Sequence, residues 1–226
     1  MEGIVFAIIF LVIIVVGIGL VIAIPLGLIA RRRERARTSA IASWAGSLGF
    51  TAYPPGTPVR WTERLPGHRA TGVRMLFAGQ RGGRTVGVAE YEYHETTTQM
   101  INNQPQTITS TKRYLVCVAD VGAEYPPIEV VERSGGSKLW RWLTGPADTE
   151  IGVADFDARY RVSTESPEVA RQLVGPALVA AHVEGSVPPW SLYGSDLLAY
   201  WPGRFDAKTA LPCLDAVVRV AELLGK

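Results

Sequence analysis

Residues 84–121 read RTVGVAEYEYHETTTQMINNQPQTITSTKRYLVCVADV, and the reading of this stretch decides the fold. Its two ends are strands by period. Val86 and Val88 fall on one face of an extended chain, and Tyr91 and Tyr93 fall on the other. Side chains alternate along a strand, so this change of phase implies a bulge near Ala89 and Glu90, or a strand covered on both faces. Residues 113–121, RYLVCVADV, are apolar at both parities, which marks a central strand. Between the two lies TTTQMINNQPQTITST, residues 96–111, polar and without charge. It reads as the solvated tip of a long hairpin. The functional alternative is a partner-binding loop anchored by Met100 and Ile101.

Working outward, Val73, Met75 and Phe77 alternate as a half-buried strand does, and Gly82-Gly83 between Arg81 and Arg84 marks a hairpin turn. Ile128 to Arg133 makes another short strand. Trp190 to Tyr193 and Leu197 to Trp201 read as a tight hairpin around Gly194-Ser195-Asp196. Phe156, Tyr160 and Val162 belong to an extended segment. Ser166-Pro167-Glu168 is a helix start, and Gly175-Pro176 breaks that helix into two. Asp206 caps a final helix whose apolar face is Leu211, Leu214, Val217, Val218, Ala221 and Leu224. Most strand connections are too short for parallel crossovers, so the class is α+β with an antiparallel sheet and flanking helices.

Upstream the chain changes character. Residues 4–30, IVFAIIFLVIIVVGIGLVIAIPLGLIA, carry no charge. A hydrocarbon core roughly 30 Å thick takes about 20 apolar residues in a helix, so this run predicts a single transmembrane helix. A cleaved signal peptide fits less well, because the start lacks positive charge, the apolar run is long and no small-residue cleavage pattern follows. Arg31, Arg32, Arg33, Arg35 and Arg37 come next, relieved only by Glu34. Basic residues are retained on the cytoplasmic side and favour anionic headgroups. The expectation is an N-terminus outside, the rest in the cytoplasm, and the arginine cluster on membrane lipid. Three segments follow: an anchor over 1–30, a juxtamembrane helix and Pro-rich connector over 31–69, and a cytosolic α+β domain over 70–226. In the second, Ile41, Trp44, Ala45 and Leu48 share a helical face and Gly49 is its stop.

The formal net charge is +2, and the arginine cluster accounts for the excess. The remainder is close to neutral, which gives no electrostatic case for nucleic acid. Cys117 and Cys213 have no metal or redox spacing and read as reduced, buried small hydrophobes. The stretch KLWRWLTG, residues 138–145, offers Trp140 and Trp142 as a bilayer-interface or partner-binding cluster, or as a cap on the core.

Residues 155–176 read DFDARYRVSTESPEVARQLVGP. Phe156, Asp157, Tyr160, Val162, Ala170, Leu173 and Pro176 make an F-[DN]-x-x-[FY]-x-V … A-x-x-L-x-x-P pattern. It resembles a signature of uncharacterised bacterial single-pass membrane proteins, over about residues 140–226. The resemblance implies a membrane-anchored α+β module and brings no catalytic residues.

Enzyme chemistry finds little support. His68, His94 and His182 are scattered, and no H-E-x-x-H, C-x-x-C or G-x-S-x-G occurs. GQRGGR, residues 79–84, lacks the Lys-Ser/Thr ending of a phosphate loop. Glu150, Asp155 and Asp157 lack the spacing of a calcium loop. Glu90, Glu92 and His94 share a strand face, as an acid/base group or a solvated face would. No cofactor and no metal is expected. The favoured reading is a membrane-tethered interaction or scaffolding module with a protein partner or self-association. The alternatives are a membrane-bound enzyme with a polar pocket, and a lipid or small-ligand sensor with a deep apolar cavity near Trp140 and Trp142.

Overall fold

The computed structural model describes residues 28–29, 31–101, 104–133 and 148–226. The chain divides into two units, residues 1–44 and 45–226. Helix α1 runs over 31–47. It ends where expected: Phe50 N donates to Ala45 O at 2.9 Å, Gly49 N donates to Gly46 O at 3.0 Å, and Gly49 takes φ +74°. This is the six-to-one closure of a helix terminus with glycine in the left-handed region.

The second unit is an α+β domain built on one antiparallel sheet. Its strands are β1 (Thr51–Tyr53), β2 (Val73–Arg81), β3 (Arg84–Ile101), β4 (Gln104–Glu132), β5 (Asp148–Thr149), β6 (Tyr160–Thr164) and β7 (Trp190–Pro202). The order is β1-β2-β3-β4-β6-β5, and β7 pairs with the other edge of β4. Helices α2 (Ala154–Arg159), α3 (Pro167–Leu173), α4 (Pro176–Val183) and α5 (Ala207–Leu223) flank it. The connector 54–72 carries one 3₁₀ turn, Arg60–Arg64.

Strand β3 is covered on both faces, which explains its phase change without a bulge. Its register against β4 is unbroken from Val86↔Ala119 to Ile101↔Gln104. The irregularity lies one strand over, between Val73 and Met75 of β2. On one face Ala89 and Tyr91 join Tyr114, Val116, Leu198 and Tyr200 beneath Trp61 and Leu65 of the connector. On the other, Val86 and Val88 are buried, Phe205 meets Phe77 edge-on at 5.9 Å, and α5 packs on β3, β4 and β7. Asp206 caps α5 by accepting from Lys208 N at 2.9 Å. The α5 face that is buried comprises Ala210, Leu214, Val217, Val218, Val220 and Ala221.

Four expectations need correction. Ile128–Glu132 is no separate strand but the far end of β4. The reading of Trp190–Trp201 as a hairpin fails: β7 is one continuous strand paired to β4 along its length. Gly194, at φ +60°, instead bends β7 where β4 inserts extra residues between Asp120 and Tyr125. Phe156 is helical, in α2, and only Tyr160 and Val162 are extended. Ser166 precedes α3 as expected but its side chain makes no cap bond; Thr164 Oγ1 accepts from Ser166 N at 3.0 Å instead.

The F-D-x-x-Y-x-V residues have plain structural work. Phe156 is buried and stacks on Tyr160 at 5.2 Å. The Asp157 carboxylate accepts from Ile151 N at 3.0 Å and Gly152 N at 2.8 Å, closing the turn before α2.

Candidate functional site

The stretch 96–111 is not a loop. Strands β3 and β4 stay paired through it, Thr96↔Thr109, Thr98↔Thr107 and Met100↔Pro105, until Ile101 meets Gln104. Threonine has high strand propensity, and cross-strand Thr pairs are favourable, so a polar sequence suffices for a ladder. Strand β2 leaves β3 at Tyr91, and β7 leaves β4 at Tyr114. Beyond that level the two strands run on as a ribbon.

The ribbon is fixed at its root. On one face Tyr93 stacks on Tyr114 at 6.1 Å with planes 3° apart, Tyr91 lies beside both, and Tyr200 closes on Tyr114 edge-on at 5.4 Å. Burial pushes the phenols of Tyr91, Tyr114 and Tyr200 above their ordinary range. The Tyr91 hydroxyl donates to Pro66 O at 2.9 Å and accepts from Arg69 N at 3.0 Å. On the opposite face Glu92 sits between Arg113 at 3.0 Å and Arg74 at 3.4 Å. Further out the pairs are His94 Nδ1 with Thr111 Oγ1 at 3.1 Å, Lys112 with Glu95 at 3.5 Å, and Thr96 with Thr109 hydroxyls at 3.3 Å. Met100 is 67 % exposed and Ile108 44 % exposed. These two apolar side chains stand out on a stretch that is otherwise polar and uncharged.

Of the residues singled out from sequence, Met100 and Ile101 both lie on β3 at the ribbon's end. Trp140 and Trp142 lie outside the described residues. Arg31, Arg32, Arg33 and Arg35 are exposed on α1, and Arg37, half-exposed, pairs with Glu34 at 3.0 Å. Among the described residues no helix is long and apolar enough to cross a membrane. The run expected to do so, residues 4–30, lies outside them except for Leu28 and Ile29.

Glu90, Glu92 and His94 do not form an acid/base group. Glu90 is buried and accepts from Phe205 N at 2.7 Å, while Glu92 and His94 are engaged as above. GQRGGR is a turn: Gly82 and Gly83 have positive φ, Arg81 pairs with Asp215 of α5, and Arg84 donates to Ala221 O at 3.2 Å. Among the described residues no three His, Cys, Asp or Glu are placed to hold a metal ion. His182 is buried; its Nε2 accepts from Trp190 Nε1 at 3.0 Å, and burial lowers its pKa to about 4. Cys117 is buried, Cys213 half-buried, and neither forms a disulfide. An open recess of about 730 Å³ beside β5 is lined by charges of both signs, with Arg133 on Asp148 at 3.4 Å and Arg171 on Glu150 O at 3.1 Å.

One buried polar group has no short-range sequence signal. Arg64, 5 % exposed, donates through Nη1 to Ser191 O at 3.0 Å and Asp196 O at 2.9 Å, ties of more than a hundred residues in sequence. It binds the connector to β7. Nearby Glu129, 3 % exposed, lies between Ser163 and Ser191 across three strands. Burial lifts its carboxyl to about 7, against the pull of Arg161 and Arg64.

Neither protein-family models nor curated proteins yield a match. Among solved structures, the crystal structure of the mycobacterial trehalose monomycolate transport factor A, TtfA, is similar, with a TM-score of 0.54. Identity is 13 %, over 80 % of this chain and 90 % of that one. The likeness is one of fold.

Proposed function

We propose that this chain is a membrane-anchored docking module: residues 4–30 hold it in a bilayer, the α+β domain faces the cytoplasm, and the outer β3–β4 ribbon binds protein. The ribbon carries the reading. Two strands alone are marginal in water, and unpaired edges template further strands. A ribbon rooted in four tyrosines and two ion pairs, then without further sheet neighbours among the described residues, is built to receive one. The membrane half rests on the uncharged run, the arginines that follow it and the exposure of Leu28 and Ile29. That the fold is similar to that of a protein named as a trehalose monomycolate transport factor is in keeping with this reading.

The test places a photo-crosslinking residue at Met100 in the full chain, in native membranes. A second chain carries it at Glu168, an exposed position on α3. The reading expects a discrete protein adduct from position 100 and none from position 168. No adduct at position 100, or equal labelling at both, would contradict it.

A further inference from the structure

The two edges of the ribbon differ. Past Glu92, whose N–H still reaches Gly72 O at 2.8 Å, nothing among the described residues pairs with the outer edge of β3. The outer edge of β4 is likewise open from Gln104 to Lys112, until Gly203 N reaches Arg113 O at 2.9 Å. Natural sheets close such edges with proline and lysine. Strand β4 has both, Pro105 without an N–H and Lys112 with its charge. Strand β3 has neither between Thr96 and Ile101. One edge is therefore protected and the other open.

The open edge reads Thr96-Thr97-Thr98-Gln99-Met100-Ile101. It offers no charge by which a foreign partner could be selected, and charge complementarity is the usual source of such selection. What it offers is backbone donors and acceptors, hydroxyls and an amide, and these complement a second strand of the same kind. Building on the docking reading above, we propose that the occupant is a second copy of this chain. The two β3 edges pair antiparallel between Glu95 and Ile101, about a twofold axis at Thr98.

The register follows from charge. An axis at Glu95 would set two carboxylates directly opposite, which is destabilising. An axis at Thr98 sets Glu95 opposite the other copy's Ile101, and Thr96 opposite its Met100. The product is a four-stranded ribbon about 24 Å long, above the number of strands needed for independent stability. The contact is isologous and consumes both open edges. Only the edges bearing Pro105 and Lys112 remain, so assembly stops at two copies and does not propagate. Tethering in one bilayer raises the effective concentration of one arm for the other.

Cysteine crosslinking of the full chain in membranes tests this, in a Cys213→Ser background with Cys117 left buried. Thr98→Cys is expected to give a disulfide-linked dimer on mild oxidation. Thr96→Cys and Met100→Cys chains, mixed and separately tagged, are expected to link to each other. Thr107→Cys, across the ribbon from Thr98, is expected to stay monomeric, since its two copies would lie roughly 14 Å apart at one strand spacing per step. Adding Met100→Pro, at a residue whose N–H faces the open edge as that of Glu92 does, is expected to abolish the Thr98→Cys dimer. A monomeric Thr98→Cys chain, or equal crosslinking at Thr107→Cys, would overturn self-pairing. If that result comes with an adduct of another mass at Met100, the docking arm stands and only the occupant is wrong. If no adduct forms at either place, both readings fall.

Discussion

Two buried titratable side chains set opposing pH dependences. His182 stays neutral in the fold, with a pKa of about 4 against 6.5 when free. Unfolding lets it take up a proton between those values, so its contribution falls as pH drops from 6.5 towards 4. Glu129 is the reverse. Its carboxyl is lifted from 4.5 to about 7, so unfolding lets it lose a proton, and stability falls as pH rises through that window. Each effect is worth about 3 kcal/mol at most. Between pH 4.5 and 6.5 the two offset each other. Glu129→Gln should leave a stability that rises with pH, and His182→Gln one that falls. Urea midpoints across this range check both. Slopes unchanged from the parent in either variant would contradict the burial argument.

Among the elements, the ribbon is separable from the core by its own construction. Its described side chains past His94 are exposed apart from the half-buried Ser110, and none of Thr96–Gln99 or Gln106–Thr109 belongs to the buried set. Replacing residues 96–109 with an Asn-Gly turn, which keeps Glu95 opposite Ser110, should therefore leave the unfolding free energy within about 0.5 kcal/mol of the parent, as for surface changes in general. Loss of more than about 2 kcal/mol, the scale of a core truncation, would show the ribbon to be part of the core. The elements also show how far the sequence could be read. Gly82-Gly83, the break at Gly175-Pro176 and the Asp206 cap were legible, because each is a local pattern, whereas the two-faced burial of β3 was one of two readings, beside a bulge. The long hairpin was legible too, but its outer part was read as a solvated tip because its residues lack hydrophobic period; its threonine content was the signal that the strands run on. Gly194-Ser195-Asp196 has the composition of a turn, yet the inserted residues of β4 absorb the bend. That depends on a partner more than sixty residues away. Arg64 was invisible for the same reason: nothing near it in sequence announces Ser191 or Asp196.

In the whole molecule an apolar run and a basic cluster precede, in sequence, an α+β domain whose β3–β4 pair runs on past its sheet neighbours. Several polar groups of the domain are satisfied internally: Arg81 by Asp215, Glu92 by two arginines, Asp157 by backbone amides. On the ribbon beyond Glu92 the outer backbone edge of β3 has no partner among the described residues, and the proposed docking rests on that edge. The measurement that bears most directly on this is amide hydrogen exchange at residues 95–101, compared between the full chain in native membranes and the isolated domain as a dilute monomer. An uncovered two-stranded edge exchanges through local opening, whereas a docked strand is protected. The account predicts slow exchange at these amides in the membrane and fast exchange in the monomer, with the core amides of β4 slow in both. Equally fast exchange of residues 95–101 in both states would contradict it.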